Sequence, residues 1–401
     1  MDRSGMNEYP RNVKDLLIEA KDASELMVDL AYTAVFFDDE AIAEEVLRLE
    51  KRMNEYVHKM RILSMLAARS VDDAEEMAGV LQVTSAIERI GDSAEDVARV
   101  VLRDLGIPAE LLADLSQAEE VVSRMRVREG SAMEGYTVRE LALPTRTGMR
   151  LIAIRRGLDW TYGPGGDEVI VANDVLFAQG PPEGVNLLQE LAGAPLKEAK
   201  PAAPAGGLTK LDRAVDLIVE MKNLSEVAVG LAYAALLFRE KNVAAEVGVL
   251  EDRMDGMRYE LEKWVLLSAK ETEDPQRLLG LLHLATASEN ICDAAKEMAV
   301  IIEEDVQLHP VLAAALSQTD EVIIRATVRP GSEMMGNTLG RLSLETETGM
   351  YVLAVRRGER WIYRPKADFM LLENDVLLAS GPEEGGAALF QLCGEGEEAD
   401  S

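Results

Sequence analysis

The chain is written twice. Shifted by 201 positions, the 401-residue sequence aligns with itself without gaps from about Val13 to the end of the first half. Leu30-Ala31-Tyr32 falls on Leu231-Ala232-Tyr233, and Leu115-Ser116-Gln117 on Leu316-Ser317-Gln318. TGMRLIAIRRG from Thr147 falls on TGMYVLAVRRG from Thr348, with 7 of 11 residues identical. Trp160 and Tyr162 fall on Trp361 and Tyr363, and Asn173-Asp174-Val175-Leu176 on Asn374-Asp375-Val376-Leu377. Two copies fall short of the array a solenoid needs, so each copy has to be a self-contained module.

Each copy opens with helical periodicity. Leu16, Ala20, Ala23, Met27, Leu30 and Ala34 step by four and three, as a helix packed along one seam does. A second set runs from Ile42 through Met53 to Ala67, and a third from Met77 through Ile87 to Val101. Asp38-Asp39 and Val71-Asp72-Asp73 are breaks short enough for antiparallel neighbours, and Gly106-Ile107-Pro108 reads as a helix stop. The pattern then changes to strand-like runs at Val121 to Arg128, Met149 to Ile154, Trp160 to Tyr162 and Val175 to Ala178. A short helix is expected around Thr137 to Leu141 and a final one from about Glu183 to Leu191. The expected fold class is α+β multidomain: two three-helix antiparallel bundles (10–106 and 210–307) alternating with two small α+β domains (107–193 and 308–393). Residues 194–209, rich in Pro, Ala and Gly, read as a linker, and residues 394–401 as an acidic tail.

Charge narrows the function. With 72 acidic against 42 basic residues the formal charge is −30, which repels nucleic-acid phosphates and anionic lipid headgroups. The longest apolar run, Val227 to Phe238, is shorter than the roughly 20 residues a bilayer span needs, so direct membrane insertion is not expected. The N-terminus carries no signal-peptide core. The expected location is the cytoplasm, with any membrane role coming through a partner at the inner face. Aromatics make up only 4% of the chain, and Trp160, Trp361, Tyr162 and Tyr363 are expected to fill the cores of the small domains. Two lone cysteines, Cys292 and Cys393, suggest neither a disulfide scaffold nor a zinc site. His58 and His283 fall opposite Tyr259 and Gln82 in the other copy and read, with His309, as structural or surface residues. No nucleophile–base arrangement and no glycine-rich phosphate loop before a helix is visible, so an enzyme is not expected.

Several short elements recur in order in both copies: Gly130-Ser131, Gly135 to Leu141, Gly148 leading into IAIRRG, then Asn173-Asp174-Val175-Leu176 and Gly180. The second copy has Gly331-Ser332, Gly336, Thr338-Leu339, Gly349, AVRRG, Asn374 to Leu377 and Gly381. On that set the β-rich unit resembles the TrkA C-terminal domain, the ligand-binding part of regulators of potassium conductance. The helical unit, with ERIGDSAEDVA from Glu88, resembles half of a PhoU protein, the phosphate-uptake regulator. Together the resemblances imply a non-enzymatic accessory subunit of potassium or other cation transport, partnered by a membrane channel or transporter. The β-rich domains would pair, either as an intramolecular pseudo-dimer or in a homodimer. The Rossmann domain common in potassium-uptake regulators is missing, since no GxGxxG follows a strand, so NAD or ATP binding is not carried over.

Two sets of side chains are candidate sites. Arg155-Arg156 and Arg356-Arg357 end an apolar strand in each β-rich unit, and arginine forks suit phosphate or carboxylate ligands. The resemblance implies a small ligand at the paired-domain interface, with cyclic di-AMP as the leading expectation; salt bridges to nearby acids are the plainer role. The PhoU resemblance implies a divalent metal ion held by ExxxD pairs, whose carboxylates share a helix face. Glu88 with Asp92, Glu289 with Asp293, and Glu251 with Asp255 have that spacing, whereas the first copy has Glu50 with Asn54. In so acidic a chain the same spacing also arises on solvated helix faces. A PhoU-like metal-binding adaptor of phosphate transport and a protein-only scaffold are the alternatives to the transport regulator.

Overall fold

The computed structural model describes residues 12–106, 121–157, 159–194, 210–270, 275–319 and 321–395. Almost all of the expected linker and acidic tail, and Ile107-Pro108 of the expected helix stop, lie outside these residues.

The first bundle is α1 (Val13–Phe37), α2 (Glu40–Ala67) and α3 (Val71–Leu102). Its helices start where short polar side chains can accept from free backbone N–H groups: Asn12 from Asp15, Asp39 from Ala41 and Ile42, and Ser70 from Asp73. The first small domain holds β1 (Val121–Arg126), α4 (Val138–Leu141), α5 (Leu143–Thr147), β2 (Arg150–Arg156), β3 (Asp159–Tyr162), β4 (Val175–Gly180) and α6 (Pro182–Leu191). Thr137 and Glu140 form a reciprocal capping box at the start of α4.

The second copy repeats this with α7 (Lys210–Phe238), α8 (Lys241–Ser268) and α9 (Leu279–Glu303). Then follow α10 (Pro310–Leu316), β5 (Glu321–Thr327), α11 (Leu339–Leu342), α12 (Leu344–Thr348), β6 (Tyr351–Arg357), β7 (Arg360–Tyr363), β8 (Val376–Pro382) and α13 (Glu383–Cys393). His309 caps α10, its Nδ1 accepting from the Val311 N–H at 3.1 Å. By length and composition α7 could cross a membrane, yet 72% of its apolar window is buried inside the protein, where it packs between α8 and α9.

The two bundles share one continuous core, running from Leu16 and Met27 of α1 to Leu231 of α7 and Ile291 of α9. The seam between them is α3 against α9. Small residues allow that approach: a Cβ on Gly280 would run into the Gly106 carbonyl oxygen, and one on Gly79 would sit 2.9 Å from Leu308. Each large side chain fully buried here contributes about 1.5–3 kcal/mol. The layer therefore holds as one body.

Each small domain is a four-stranded antiparallel sheet, ordered β1-β4-β2-β3 and β5-β8-β6-β7. One face covers the domain's own small core around Met125, Met149, Leu176 and Leu188. A break in register between Leu151 and Ala153 gives β2 an extra residue, so Ile152 and Ala153 both join the bundle core; Leu353 and Ala354 do the same in the second copy. The expectation for the aromatics is corrected here. Trp160, Tyr162, Trp361 and Tyr363 pack against the bundle core, not inside the small domains. They lie on β3 and β7, whose bundle-facing surface needs large flat groups to cover the α1–α2 and α7–α8 turns. Trp160 lies 5.1 Å from Phe177, which meets Phe37 of α1 edge-on at 5.6 Å. Tyr162 donates to the Ala41 carbonyl and Tyr363 to that of Asn242.

The small domains pair within one chain through α5 and α12, short helices absent from the sequence reading. The contact is reciprocal under the 201-residue shift. A Cβ on Gly148 would lie 2.7 Å from the Glu345 carbonyl oxygen, and one on Gly349 would lie 3.0 Å from that of Pro144. Both glycines also have positive φ, +71° and +72°.

Glycines at different places should respond oppositely to the same substitution. Gly280→Ala should cost about 1–3 kcal/mol through overpacking of the α3–α9 seam. Gly256→Ala, where nothing stands within 4 Å of the added Cβ, should stabilise by about 0.5–1 kcal/mol through helix propensity. Urea unfolding midpoints check both, and equal shifts would mean that the seam is not close-packed.

A candidate ligand site on the pseudo-twofold axis

The duplicated arginines are held locally. Arg156 donates Nε to Asp174 Oδ1 at 2.9 Å and Nη2 to Oδ2 at 2.8 Å. Arg357 does the same to Asp375 at 2.8 and 2.7 Å. Both aspartates are buried and also accept a backbone N–H, from Val171 and Leu372. The fork raises both guanidinium pKa values further above the ordinary arginine range. Asn173 and Asn374 adopt left-handed φ just before these aspartates, so each Asn-Asp pair turns the chain and anchors the arginine. Arg155 and Arg356 lie over the Trp160 and Trp361 rings at 5.5 and 5.7 Å.

The ExxxD residues gather into one cluster per bundle. In the first, Arg61 pairs with Glu88 at 2.6 Å and Asn54 donates to Glu50. Partial desolvation, with repulsion from Glu88 and Glu50, pushes the Asp92 carboxyl up to about 6. In the second, Arg258 pairs with Glu289 at 3.0 Å and Lys296 with Glu251 at 2.5 Å. Arg89 crosses from the first bundle to Asp293 at 3.7 Å and also pairs with Glu297. Desolvation raises Glu289 and Asp293, and Asp255 repels both. Among the described residues no three His, Cys, Asp or Glu side chains converge as a metal site would require.

A different place brings both halves together. Where α1, α7, α5 and α12 meet strands β2 and β4 of one sheet and β5, β6 and β8 of the other, a cavity of about 190 Å³ opens on the pseudo-twofold axis. None of the four arginines and none of the ExxxD carboxylates lines it. Lys21, buried on α1, pairs with Glu25 at 2.7 Å and donates to the Glu321 carbonyl of the other half at 3.1 Å. Its ammonium lies 5.1 Å from the centre of the Tyr233 ring, and Lys222, paired with Glu226 at 2.6 Å, lies 5.6 Å from that of Tyr32. Each half thus places its lysine on the tyrosine of the other. Burial raises the Glu25 carboxyl against the pull of Lys21, and Glu321 adds to the rise.

The wall is not symmetric. In the first half Arg150 pairs with Asp29 and reaches Glu321 at 3.3 Å. The equivalent positions in the second half are Tyr351 and Gly230, and Leu353 fills the space beside that glycine. The Tyr32 hydroxyl bonds Ser288 at 2.9 Å, whereas Ile87 stands at the position equivalent to Ser288. Lys21, Glu25, Asp29 and Tyr233 escaped the sequence reading because they sit on helix faces at core spacing, and Arg150 and Glu321 because they lie on strands that meet those helices only in the folded chain. The signal was present: buried-face positions 21 and 222 are both lysine, with glutamate four residues on in each copy.

The TrkA-C domain family matches residues 122–193 and 323–394, and the PhoU domain family matches residues 17–101 and 218–302. No protein of curated function matches the chain. Among solved structures, PhoU from Pseudomonas aeruginosa is similar at 15% identity and a TM-score of 0.39, over 72% of this chain and 93% of that one. The GsuK channel bound to NAD is similar at 14% and 0.19 (80% and 65%), and the human SLO3 gating ring at 14% and 0.23 (81% and 79%). At such scores the likenesses carry no argument about function.

Two measurements follow from this geometry. Arg156→Ala strands a buried carboxylate and should cost about 3–5 kcal/mol, whereas Arg155→Ala should cost under about 1 kcal/mol; similar losses in chemical denaturation would contradict the assignment. The raised Asp92 carboxyl means that the native state holds its proton more tightly than the unfolded chain, so this group's contribution to stability falls as pH rises from about 4 to about 6. Asp92→Asn should therefore raise Tm above pH 6 and leave it nearly unchanged near pH 4, and a pH-independent difference would refute the repulsion.

Proposed function

Since the chain carries two PhoU domains and two TrkA-C domains in tandem, we propose that it is a regulatory, ligand-sensing subunit of potassium or other cation transport. The observation that carries this reading is the pairing of both TrkA-C domains inside one chain, around a cavity wired to the helical layer. Lys21 and Arg150 both reach Glu321 on β5, so the cavity wall ties the first half to the second sheet. A ligand entering there would disturb those ties and shift one half against the other. The helical layer would pass that shift to a channel or transporter. Covalent tandem duplication keeps the two ligand-binding domains at high effective concentration without a second subunit.

The metal-adaptor reading draws on the Asp92 cluster, where a cation would relieve the repulsion that raises the carboxyl. In the second bundle, arginine and lysine side chains already supply positive charge to three of the four carboxylates. The transport-sensor reading is preferred for that reason.

Equilibrium dialysis of the full chain against cyclic di-AMP, ATP, potassium, calcium, iron and zinc tests the reading. At a hundredfold excess over its Kd, a bound ligand should also add about 2.7 kcal/mol of stability. A nucleotide or potassium bound by the wild type and lost in a folded Val227→Met, which narrows the cavity, supports the sensor. Iron or zinc alone, lost in Asp293→Ala, supports the metal adaptor, and binding of none leaves a scaffold.

A further inference from the structure

The carboxylates that a metal ion would need in the second bundle are already engaged. Glu251 and Asp255 lie on α8, and Glu289 and Asp293 on α9. Lys296 sets its ammonium 2.5 Å from Glu251 Oε2, and Arg258 sets Nε 3.0 Å from Glu289 Oε2. Those two acids are well shielded, with side chains 12% and 14% exposed. Arg89 comes from α3 of the other bundle, reaches Asp293 at 3.7 Å and also pairs with Glu297. Arg89, Lys296, Glu251, Asp293 and Glu297 line one open depression at the seam.

Distance sets these bases against a metal. A hard divalent ion sits about 2.0–2.6 Å from each carboxylate oxygen, and the Lys296 ammonium holds that place at Glu251. An ion approaching Asp293 meets both Arg89 and Lys296 in the same depression, and like charges at close range repel it. Displacing Lys296 or Arg258 would strip a shielded carboxylate of its partner, which is costly. The metal ion expected of a PhoU-like bundle therefore does not fit the second cluster as this chain builds it.

The other copy shows that the helical fold does not require these charges. At the positions 201 residues away stand Asn290 for Arg89, Val57 for Arg258 and Glu95 for Lys296. None of the three bases has a basic counterpart. Two related helix pairs thus differ in charge where their carboxylates face the seam.

We infer that Arg89, Arg258 and Lys296 are the resident counter-cations of the second bundle, standing where a divalent ion would and making that bundle independent of metal. Arg89 gives the arrangement a second effect. Because it belongs to α3, the charge that neutralises the α9 carboxylates also ties the two bundles together. This clamp needs no ligand in the axial cavity.

Manganese(II), an ion suited to carboxylate sites, is the probe, since its free-ion EPR signal is lost on binding. It is titrated into the full chain, into Asp293→Asn, and into the triple variant Arg89→Gln, Arg258→Gln, Lys296→Gln. Asp293→Asn is expected to leave the manganese bound by the wild type unchanged. The triple variant, which keeps every carboxylate, should bind one more ion per chain, and adding Asp293→Asn should remove that ion. Its Tm should fall without metal and recover with manganese, a rescue that ordinary surface ion pairs would not show. Manganese bound by the wild type and lost in Asp293→Asn overturns the inference. So does a triple variant that is folded by circular dichroism and binds no more manganese than the wild type. If the triple variant does not fold, Lys296→Gln alone decides, its side chain being 40% exposed. It should bind manganese about tenfold more tightly than the wild type, and no tightening overturns the inference.

Discussion

The close approach of α3 and α9 is the constraint on which the rest depends. Two three-helix bundles, each with one unfinished apolar face, finish each other there and share one core. Fusing two three-helix halves raises the fraction of surface that each buries. With the seam set, each small domain follows its own bundle, because Ile152 and Phe177, or Leu353 and Leu378, are part of that core. The two sheets are then delivered to the position where α5 and α12 meet. The glycines at 148 and 349 are needed because two backbones arrive at van der Waals distance in a left-handed conformation.

Symmetry made the cavity and divergence gave it character. A strict twofold would set identical walls across the axis. Here one wall has Asp29 and Arg150 where the other has Gly230 and Tyr351. Ser288 bonds the Tyr32 hydroxyl, and Ile87 stands at its equivalent position. A duplicated gene can alter one half of a site without altering the other, which two identical subunits cannot do. The reciprocal lysine–tyrosine contacts survive in both halves, as fits an arrangement that holds the halves in register.

Much of the architecture was legible. The four-three spacing of apolar residues placed all three helices of the first bundle, and the strand-like runs fell on β1, β2, β3 and β4. The two short helices that pair the small domains were not legible, since Leu143–Thr147 and Leu344–Thr348 are too brief to show a period. The aromatics on β3 and β7 were assigned to the wrong core, because alternation says that one face is buried without saying against what. At the candidate sites, Arg156 and Arg357 were visible as a repeated motif, but their bond to Asp174 and Asp375 needed the turn that carries the aspartates back to β2 and β6.

The sequence by itself determined the duplication, the order of bundle and sheet in each half, and the domain families, because these are written in local periodicity and in ordered motifs. Only the tertiary structure decided that the halves close on each other within one chain. It also decided that Lys21, Asp29, Arg150, Tyr233 and Glu321 border one acidic cavity. Periodicity reports which face of an element is buried, whereas a cavity on an axis is made by residues some 200 or 300 positions apart. Their meeting depends on how two cores share a seam.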